Sequence, residues 1–329
     1  MSRIVTFTEY GSPDVLKIVD VDVPAPGPDE IRIRVKAIGL NRAESMWRTG
    51  VYVEPVNLPG RLGYECAGIV DAVGSAVTHL AVGDEVTTMP AFSMNKYAVY
   101  GELVLVPAQA AVKKPASLSF EQAAAIWNTF VTPWGAFFER PPLTGRDTVL
   151  IPAASSGVGM GAIQVAKLAG ATIIALTRTS GKKAALIEAG ADHVIATEKQ
   201  DLIAEVSRIT GGKGASVAFD PVGGATFPKL IDAMAPGGTI YVYGALSEDV
   251  TPLPMLAMVG KELTVRGYNL FGITTTPERQ AKVAKFVFDH VAAGTLKITI
   301  AGTFPLDQIV EAHRALERNE HVGKLVVTV

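Results

Sequence analysis

Between residues 148 and 243, short apolar runs alternate with amphipathic stretches, and this alternation limits the possible folds more than any other feature. The apolar runs predict strands at 148–151, 172–177, 193–196, 216–220 and 239–243. The stretches between them predict helices at 157–169, 182–189, 201–209 and 225–235. Continuous apolar strands joined by helices are typical of a parallel sheet that helices cover on both faces. We therefore expect an α/β chain with a doubly wound parallel sheet.

The first strand-to-helix junction, residues 153–159, carries the strongest motif of the chain. It reads Ala-Ala-Ser-Ser-Gly-Val-Gly, which is not a strict match to the dinucleotide fingerprint G-x-G-x-x-G. Glycines there allow close approach to a pyrophosphate, and the start of a helix offers N–H groups and a positive dipole. We expect Ser155, Ser156, Gly157 and Val158 to bind a dinucleotide; the alternative is an ordinary turn.

The end of the second predicted strand distinguishes between the two nicotinamide cofactors. A site for NAD usually places Asp or Glu there to hold the ribose 2′-hydroxyl. This chain instead has Thr177, Arg178, Thr179, Ser180 and, further on, Lys182. The two cations can pair with a 2′-phosphate, and the hydroxyls can donate hydrogen bonds to it. The pattern predicts NADPH as the cofactor, unless the cations are only a solvated helix start.

The remaining segments are less regular. Residues 31–38 alternate apolar and polar side chains, which indicates a half-buried strand, and residues 121–128 favour a helix. Further elements are predicted as strands at 3–8, 66–73, 84–89, 103–106 and 324–329 and as helices at 281–292 and 307–317. Residues 267–271 are expected to cross between two parts of the chain.

Composition excludes several classes of function. The 329 residues carry a formal net charge of -2, so no electrostatic footprint points to nucleic acid or anionic lipid. The one cysteine, Cys66, cannot form an internal disulfide or a cysteine zinc cluster. No signal peptide pattern and no uninterrupted membrane-length apolar run is present. We expect a cytoplasmic protein with a small-molecule substrate.

A series of ordered motifs resembles the medium-chain dehydrogenase/reductase superfamily, and most of all its zinc-free, quinone-oxidoreductase-like branch. The motifs lie at residues 39–44, 63–70, 73–74, 82–86, 153–159, 190–194, 219–223, 236–238 and 323–324. The resemblance implies a GroES-like, β-rich catalytic domain over 1–124 and 267–329, with a Rossmann domain inserted at 125–266. It also implies a homodimer in which the last strands of the two Rossmann sheets pair edge to edge.

The chain departs from zinc-dependent members of that superfamily at the ligand positions. Asn41 stands where those relatives carry Cys, and Tyr64 stands where they carry the His of Gly-His-Glu. A four-cysteine zinc loop near residues 90–104 is also missing. Zinc in proteins is held by Cys, His or carboxylate ligands, and the five histidines show no paired spacing. We therefore expect no bound metal.

The resemblance also implies particular site residues. The spacing from Asn41 to Tyr52 is similar to that of quinone and enoyl reductases, in some of which the matching tyrosine is proposed as the proton donor. Tyr64 is a third possible hydrogen-bond donor. The expected cofactor contacts beyond those named above are Thr132, Asp220, Gly244, Ala245, Leu270, Phe271 and Lys324. The plainer alternatives are a turn-capping asparagine, a half-buried loop tyrosine and a tyrosine that only fills space.

Together these features predict a zinc-independent, NADPH-dependent oxidoreductase that passes hydride to a quinone or an α,β-unsaturated carbonyl. Such acceptors move charge to a distant oxygen, which prepositioned hydrogen-bond donors can stabilise. One alternative is an alcohol or ketone dehydrogenase that works without a metal. The other is an NADPH-binding protein without enzymatic activity.

Overall fold

The computed structural model describes residues 1–329, which divide into two compact units. The first unit comprises Met1–Asn128, Leu270–Gly294 and Ile298–Val329. The second comprises Thr129–Asn269 and Thr295–Lys297. The chain thus leaves the first unit, builds the second and returns.

The helices and strands follow one another in three stretches. The N-terminal stretch contains β1 (Ser2–Phe7), β2 (Lys17–Val21), β3 (Glu30–Gly39), α1 (Arg42–Arg48), β4 (Gly60–Arg61), β5 (Glu65–Val73), β6 (Glu85–Thr88), β7 (Leu103–Pro107), β8 (Ala111–Lys113) and α2 (Phe120–Ala123). The middle stretch contains α3 (Trp127–Phe138), β9 (Thr148–Ile151), α4 (Gly157–Leu168), β10 (Thr172–Thr177), α5 (Lys183–Glu188), β11 (His193–Ala196), α6 (Leu202–Thr210), β12 (Ala215–Asp220), α7 (Phe227–Ala233), β13 (Met234–Val242), α8 (Met255–Gly260) and β14 (Thr264–Gly267). The C-terminal stretch contains α9 (Phe271–Thr274), α10 (Pro277–Ala292), β15 (Ile300–Pro305), α11 (Ile309–Arg318) and β16 (Lys324–Thr328).

The first unit is built on two sheets. The larger has the order β15-β16-β3-β5-β6-β8, with β7 also paired to β3, and the smaller has the order β2-β1-β4. Ile31, Ile33 and Val35 on β3 are buried and alternate with more exposed side chains, as the sequence pattern predicts. Strand β16 runs antiparallel to β3, with Val326 opposite Gly39. This pairing places Lys324 next to the residues that follow β3.

The second unit is a six-stranded sheet with the order β11-β10-β9-β12-β13-β14, and all of its neighbouring strands are parallel. Its central strands are buried, with Ile173, Ile174 and Leu150 fully shielded from solvent. The predicted doubly wound parallel sheet is therefore confirmed. The strand order reverses beside β9, which puts the β9–α4 junction at the usual binding edge of such a sheet.

The structure corrects several predicted elements. The helix expected over 121–128 is two helices, because α2 ends at Ala123 and α3 begins at Trp127. The break follows from the buried Glu65 carboxylate, which accepts the backbone N–H groups of Trp127 and Asn128 at the start of α3. The helix expected over 225–235 covers only Phe227–Ala233, and the strand expected to start at 239 already begins at Met234.

Eight elements were not predicted: β2, α1, β4, β8, α8, β14, α9 and β15. Helix α1 does carry a local signal, because Asn41 is its N-cap and Glu44, three residues on, bonds back to the Asn41 backbone N–H. Among the helices of the chain, none has the length and apolar character that crossing a bilayer requires.

Candidate active site

The β9–α4 junction in the second unit has the shape of a phosphate-binding turn. Ala153 adopts a left-handed conformation with φ of 47°, and α4 then begins at Gly157. The Ser156 hydroxyl accepts the N–H of Gly159 at 3.0 Å, so this serine caps the helix. The N–H groups of Gly157 and Val158 belong to the first turn, where a helix has no internal acceptors. They can therefore donate to an anion.

Two glycines allow this turn to pack tightly. A Cβ atom on Gly159 would lie 2.6 Å from the carbonyl oxygen of Ala153. A Cβ atom on Gly161 would lie 1.9 Å from the carbonyl oxygen of Thr129 on α3. Any larger residue at either position would displace backbone, so these glycines fix where α4 begins. Ser156, between these segments, fits the turn because its side chain caps the helix.

The end of β10 carries positive charge and no carboxylate. Thr177 closes the strand, and Arg178 follows with an exposed side chain. The Lys182 ammonium donates to the Ser155 hydroxyl at 3.1 Å. This contact brings together the two segments that the sequence assigned to the pyrophosphate and the 2′-phosphate.

The Asp220 side chain, which is predicted to lie beside the adenosine, forms its hydrogen bonds within its own turn. The side chain is fully buried, and its two oxygens accept the N–H groups of Val222 and Gly223, each at 2.9 Å. Burial raises the pKa of this carboxyl, and the two backbone hydrogen bonds oppose that rise. Asp220 therefore shapes the loop after β12. A Cβ atom on Gly244 would lie 2.9 Å from the Pro221 carbonyl oxygen, so Gly244 packs closely on this loop.

The other predicted nicotinamide contacts fall in both units. Thr132 is buried on α3 and Ala245 follows β13, both in the second unit. Leu270 and Phe271 belong to the first unit, where they form the start of α9.

A buried polar network surrounds Glu65 in the first unit. One carboxylate oxygen accepts the backbone N–H groups of Trp127 and Asn128 at 2.8 and 2.9 Å. The other accepts the Asn128 amide at 2.7 Å, the Lys324 ammonium at 2.7 Å and the Asn41 amide at 3.0 Å. Five donors thus compensate a carboxylate with no solvent exposure.

Both the carbonyl oxygen and the NH2 group of the Asn41 side chain form hydrogen bonds within this network. Its carbonyl oxygen accepts from the Lys324 ammonium, while its NH2 group donates to Glu65 and, at 3.2 Å, to Glu44. The NH2 group also has the Gly39 carbonyl oxygen within 3.2 Å, and its expected role in orienting a substrate stays a prediction. The alternative of a capping asparagine fits the structure, because Asn41 is the N-cap of α1.

Lys324 compensates buried charge within the first unit. Its ammonium is 5% exposed and pairs with Glu65, and its expected contact with a ribose or phosphate stays a prediction. Glu44 is the second buried acid here, and burial raises the pKa of its carboxyl to about 7. Sequence reasoning missed Glu44 and Glu65 as site residues, although both stand in motifs that resemble the family.

Tyr52 and Tyr64 carry two neighbouring hydroxyl groups that make no hydrogen bond to the Glu65 network. Tyr64 is 2% exposed, its ring contacts Phe92 and Phe271 at 5.8 and 5.5 Å, and its hydroxyl forms no hydrogen bond of standard geometry. Tyr52 is half-buried against Trp47, with ring centroids 5.8 Å apart. Burial raises the pKa of Tyr52 to about 12, partly offset by the nearby Tyr64 phenol, and raises that of Tyr64 further. Both remain protonated donors at neutral pH.

The donor set does not fit zinc. No three His, Cys, Asp or Glu side chains converge in a way that could hold a metal ion. At the two positions where zinc-dependent relatives have ligands, this chain offers an amide that is fully hydrogen-bonded and a phenol with a raised pKa. The buried histidine His313 has a pKa lowered to about 3 by burial and by nearby arginines, and it lies among core residues of α11.

Two family models match the chain. Residues 27–116 match the alcohol dehydrogenase GroES-like domain, and residues 157–293 match the model described as zinc-binding dehydrogenase. The first match identifies the β-rich unit and confirms the GroES-like part of the predicted fold class.

Similar proteins extend the match over the whole chain. The quinone oxidoreductase of Pseudomonas aeruginosa is 34% identical over 329 residues, covering 99% of each chain. The crystal structure of Escherichia coli quinone oxidoreductase complexed with NADPH superimposes with a TM-score of 0.92 at 32% identity, covering 99% of this chain and 100% of that one. A structure described as an NAD-dependent alcohol dehydrogenase is 35% identical, with a TM-score of 0.88 and 99% coverage of both chains.

Proposed function

We propose, since the chain belongs to the medium-chain dehydrogenase/reductase superfamily in its quinone-oxidoreductase-like branch, that it reduces quinones or α,β-unsaturated carbonyls with NADPH. The main support comes from the residues that follow β10. Arg178 and Lys182 stand there, where an NAD site would have a carboxylate. The E. coli relative that was crystallised with NADPH supports the same cofactor.

The residues of the second unit fit NADPH. The N–H groups of Gly157 and Val158 and the positive end of the α4 dipole suit the pyrophosphate. Arg178 is exposed and Lys182 reaches Ser155, so both cations lie near the segment that would hold the 2′-phosphate. NADPH, when bound, supplies the hydride for the acceptor.

The first unit supplies hydrogen-bond donors for the acceptor oxygen. Tyr52 and Tyr64 stay protonated because burial raises the pKa of each phenol. The Tyr64 hydroxyl lies beside the Tyr52 phenol and is not bound to the Glu65 network, so the pair of phenols can donate to a carbonyl oxygen. Tyr52 is less buried and can hold the proton that the reduced acceptor requires. Glu65, Asn41 and Lys324 act as positioning residues, since their mutual hydrogen bonds fix the start of α1 and the end of β3.

We propose that zinc takes no part in this reaction. The amide of Asn41 is committed to Glu65 and Lys324, and an ammonium already balances the buried charge of Glu65. A zinc ion would have to displace that ammonium and find ligands among groups that bind zinc poorly.

The cofactor proposal is tested by Arg178→Ala combined with Lys182→Ala. Loss of both cations is expected to weaken NADPH binding by roughly 10- to 100-fold while NADH binding changes little, because only NADPH carries the 2′-phosphate. The two dissociation constants are measured by nicotinamide fluorescence, with Lys183→Ala as the matched control. Equal losses for NADPH and NADH would contradict the assignment.

The second candidate is an alcohol dehydrogenase, which the similarity to the NAD-dependent structure favours. An unactivated ketone needs a stronger electrophile than two phenols provide, so the residues of the first unit support this candidate less well. A dehydrogenase of that kind would bind NADH at least as tightly as NADPH, so the same titration separates the two candidates.

We also propose that the protein forms a homodimer through the second unit. Strand β14 is the last of its sheet and has one edge without a neighbour. Leu256 and Val259 on the adjoining α8 are 89% and 70% exposed, which is unusual for apolar side chains of this size.

A further inference from the structure

A small pocket on the first unit lies outside the site described above. It is formed by residues 57–61, around β4, and by residues 94–98. Its lining is mostly polar and includes two cations, Arg61 and Lys96, and two amides, Asn57 and Asn95. No carboxylate lines it. We call it the Arg61 pocket.

Arg61 is the unusual group in this pocket. Its Nε atom is buried without a hydrogen-bond partner, and one terminal nitrogen makes a long contact of 3.4 Å with the carbonyl oxygen of Ala98. Burial lowers the pKa of Arg61, and no carboxylate offsets this effect. A partly buried guanidinium normally gains an anionic partner that repays its desolvation. Here the chain does not supply one.

The walls of the pocket are held in place before any ligand arrives. Asn95 accepts the Asn57 backbone N–H at 2.8 Å and donates to the Pro55 carbonyl oxygen at 2.8 Å. Arg61 lies on β4, whose pairing with β1 puts Arg61 opposite Thr6. The exposed Lys96 ammonium lies 5.1 Å from the centre of the Tyr97 ring, on the rim. A fixed guanidinium with amide and ammonium groups beside it suits an oxyanion.

From this arrangement we infer that the Arg61 pocket binds a small oxyanion group, a carboxylate or a phosphate. The group can belong to the acceptor substrate or to a separate ion. Substrate is the favoured source because the pocket adjoins the aromatic residues around Tyr64. Phe92 contacts both Tyr64 and Tyr97, at 5.8 and 6.0 Å, and Met94 accepts the Gly63 backbone N–H. The assignment of the oxyanion group to the acceptor substrate rests on the proposed function. The inference that the pocket binds an oxyanion does not.

The test compares a charged acceptor with its neutral form. NADPH-dependent reduction of acetylacrylate and of its methyl ester is measured with wild-type protein, Arg61→Gln and Lys96→Gln. Arg61→Gln is expected to raise the ratio of KM for the acid to KM for the ester by roughly 10- to 100-fold, and Lys96→Gln by a smaller factor. Lys17→Gln, which removes an exposed positive charge outside the pocket, is the control and should leave the ratio unchanged.

Isothermal titration calorimetry of inorganic phosphate binding distinguishes an oxyanion group of the substrate from a separate ion. If the KM ratio moves with Arg61, the group belongs to the substrate. If the ratio does not move but Arg61→Gln abolishes phosphate binding, the site takes a separate ion, and the oxyanion assignment stands.

The inference is overturned if neither the KM ratio nor phosphate binding depends on Arg61 or Lys96. Lys96 is exposed, so its variant keeps the test valid even if Arg61→Gln fails to fold. If neither acceptor is reduced while phosphate binds through Arg61, the proposed function fails and the oxyanion site remains.

Discussion

At the scale of single residues, two buried glutamates differ in how well hydrogen-bond donors compensate their charge. Glu65 is compensated by five donors, including an ammonium, and its charge is therefore stable without water. Glu44 accepts hydrogen bonds from Asn41 alone, and burial raises its pKa to about 7. The difference predicts that Glu44 makes the fold sensitive to pH near neutrality.

Glu44→Gln tests this sensitivity. The pKa of Glu44 is about 7 in the folded state and near the ordinary 4.5 when unfolded, so folding takes up a proton between these values. Wild-type stability is therefore expected to fall as pH rises through this window, by up to about 3 kcal/mol in total. The variant, which cannot ionise, should lose this part of the pH dependence. Urea denaturation at about pH 5 and about pH 8 measures both; parallel changes in the two proteins would refute the prediction.

Tyr52→Phe tests the proposed proton donor. Removing the hydroxyl is expected to lower kcat for an enone by roughly 100-fold while NADPH affinity stays the same, because the phenol acts on the acceptor and not on the cofactor phosphates. Tyr10→Phe is the matched control, since Tyr10 is an exposed tyrosine that donates only to the Val56 carbonyl oxygen. Unchanged turnover would remove Tyr52 from the reaction.

At the scale of elements, local pattern predicted most of the second unit. Strands β10 and β11 fall at their predicted bounds, because short buried apolar strands between amphipathic helices leave a clear periodic signal. The boundary between α2 and α3 could not be predicted, since Glu65 lies some sixty residues before the N–H groups that it accepts. The Lys324–Glu65 pair, separated by 259 residues, has no local signal either.

The close contact between α3 and α4 fixes the position at which α4 begins. Gly161→Ala is expected to destabilise the protein by about 1–3 kcal/mol and to weaken NADPH binding, because the new Cβ would lie 1.9 Å from the Thr129 carbonyl oxygen and displace the start of α4. Gly260→Ala, in α8, is the control, since nothing lies within 4 Å of its added Cβ. Thermal unfolding and cofactor titration measure both variants. Equal stability for the two would show that the helix contact is loose.

At the scale of the whole molecule, each unit carries one half of the proposed chemistry. The second unit offers the N–H groups and cations that suit NADPH, and the first offers phenols that remain protonated. The doubly wound sheet and the motif order could be predicted from the sequence. The detailed roles of Asn41, Asp220 and Lys324 could not, because each depends on which buried partners its side chain meets.

The most direct test of the central claim is NADPH consumption by purified protein in the presence of EDTA, with a small quinone and an unhindered enone as parallel acceptors. We predict turnover of at least one acceptor at a rate that the chelator does not change, because the acceptor oxygen is stabilised by side-chain donors. Turnover that EDTA abolishes and added zinc restores would contradict the metal-free mechanism. Tight NADPH binding with no turnover of either acceptor would contradict the proposed reductase itself.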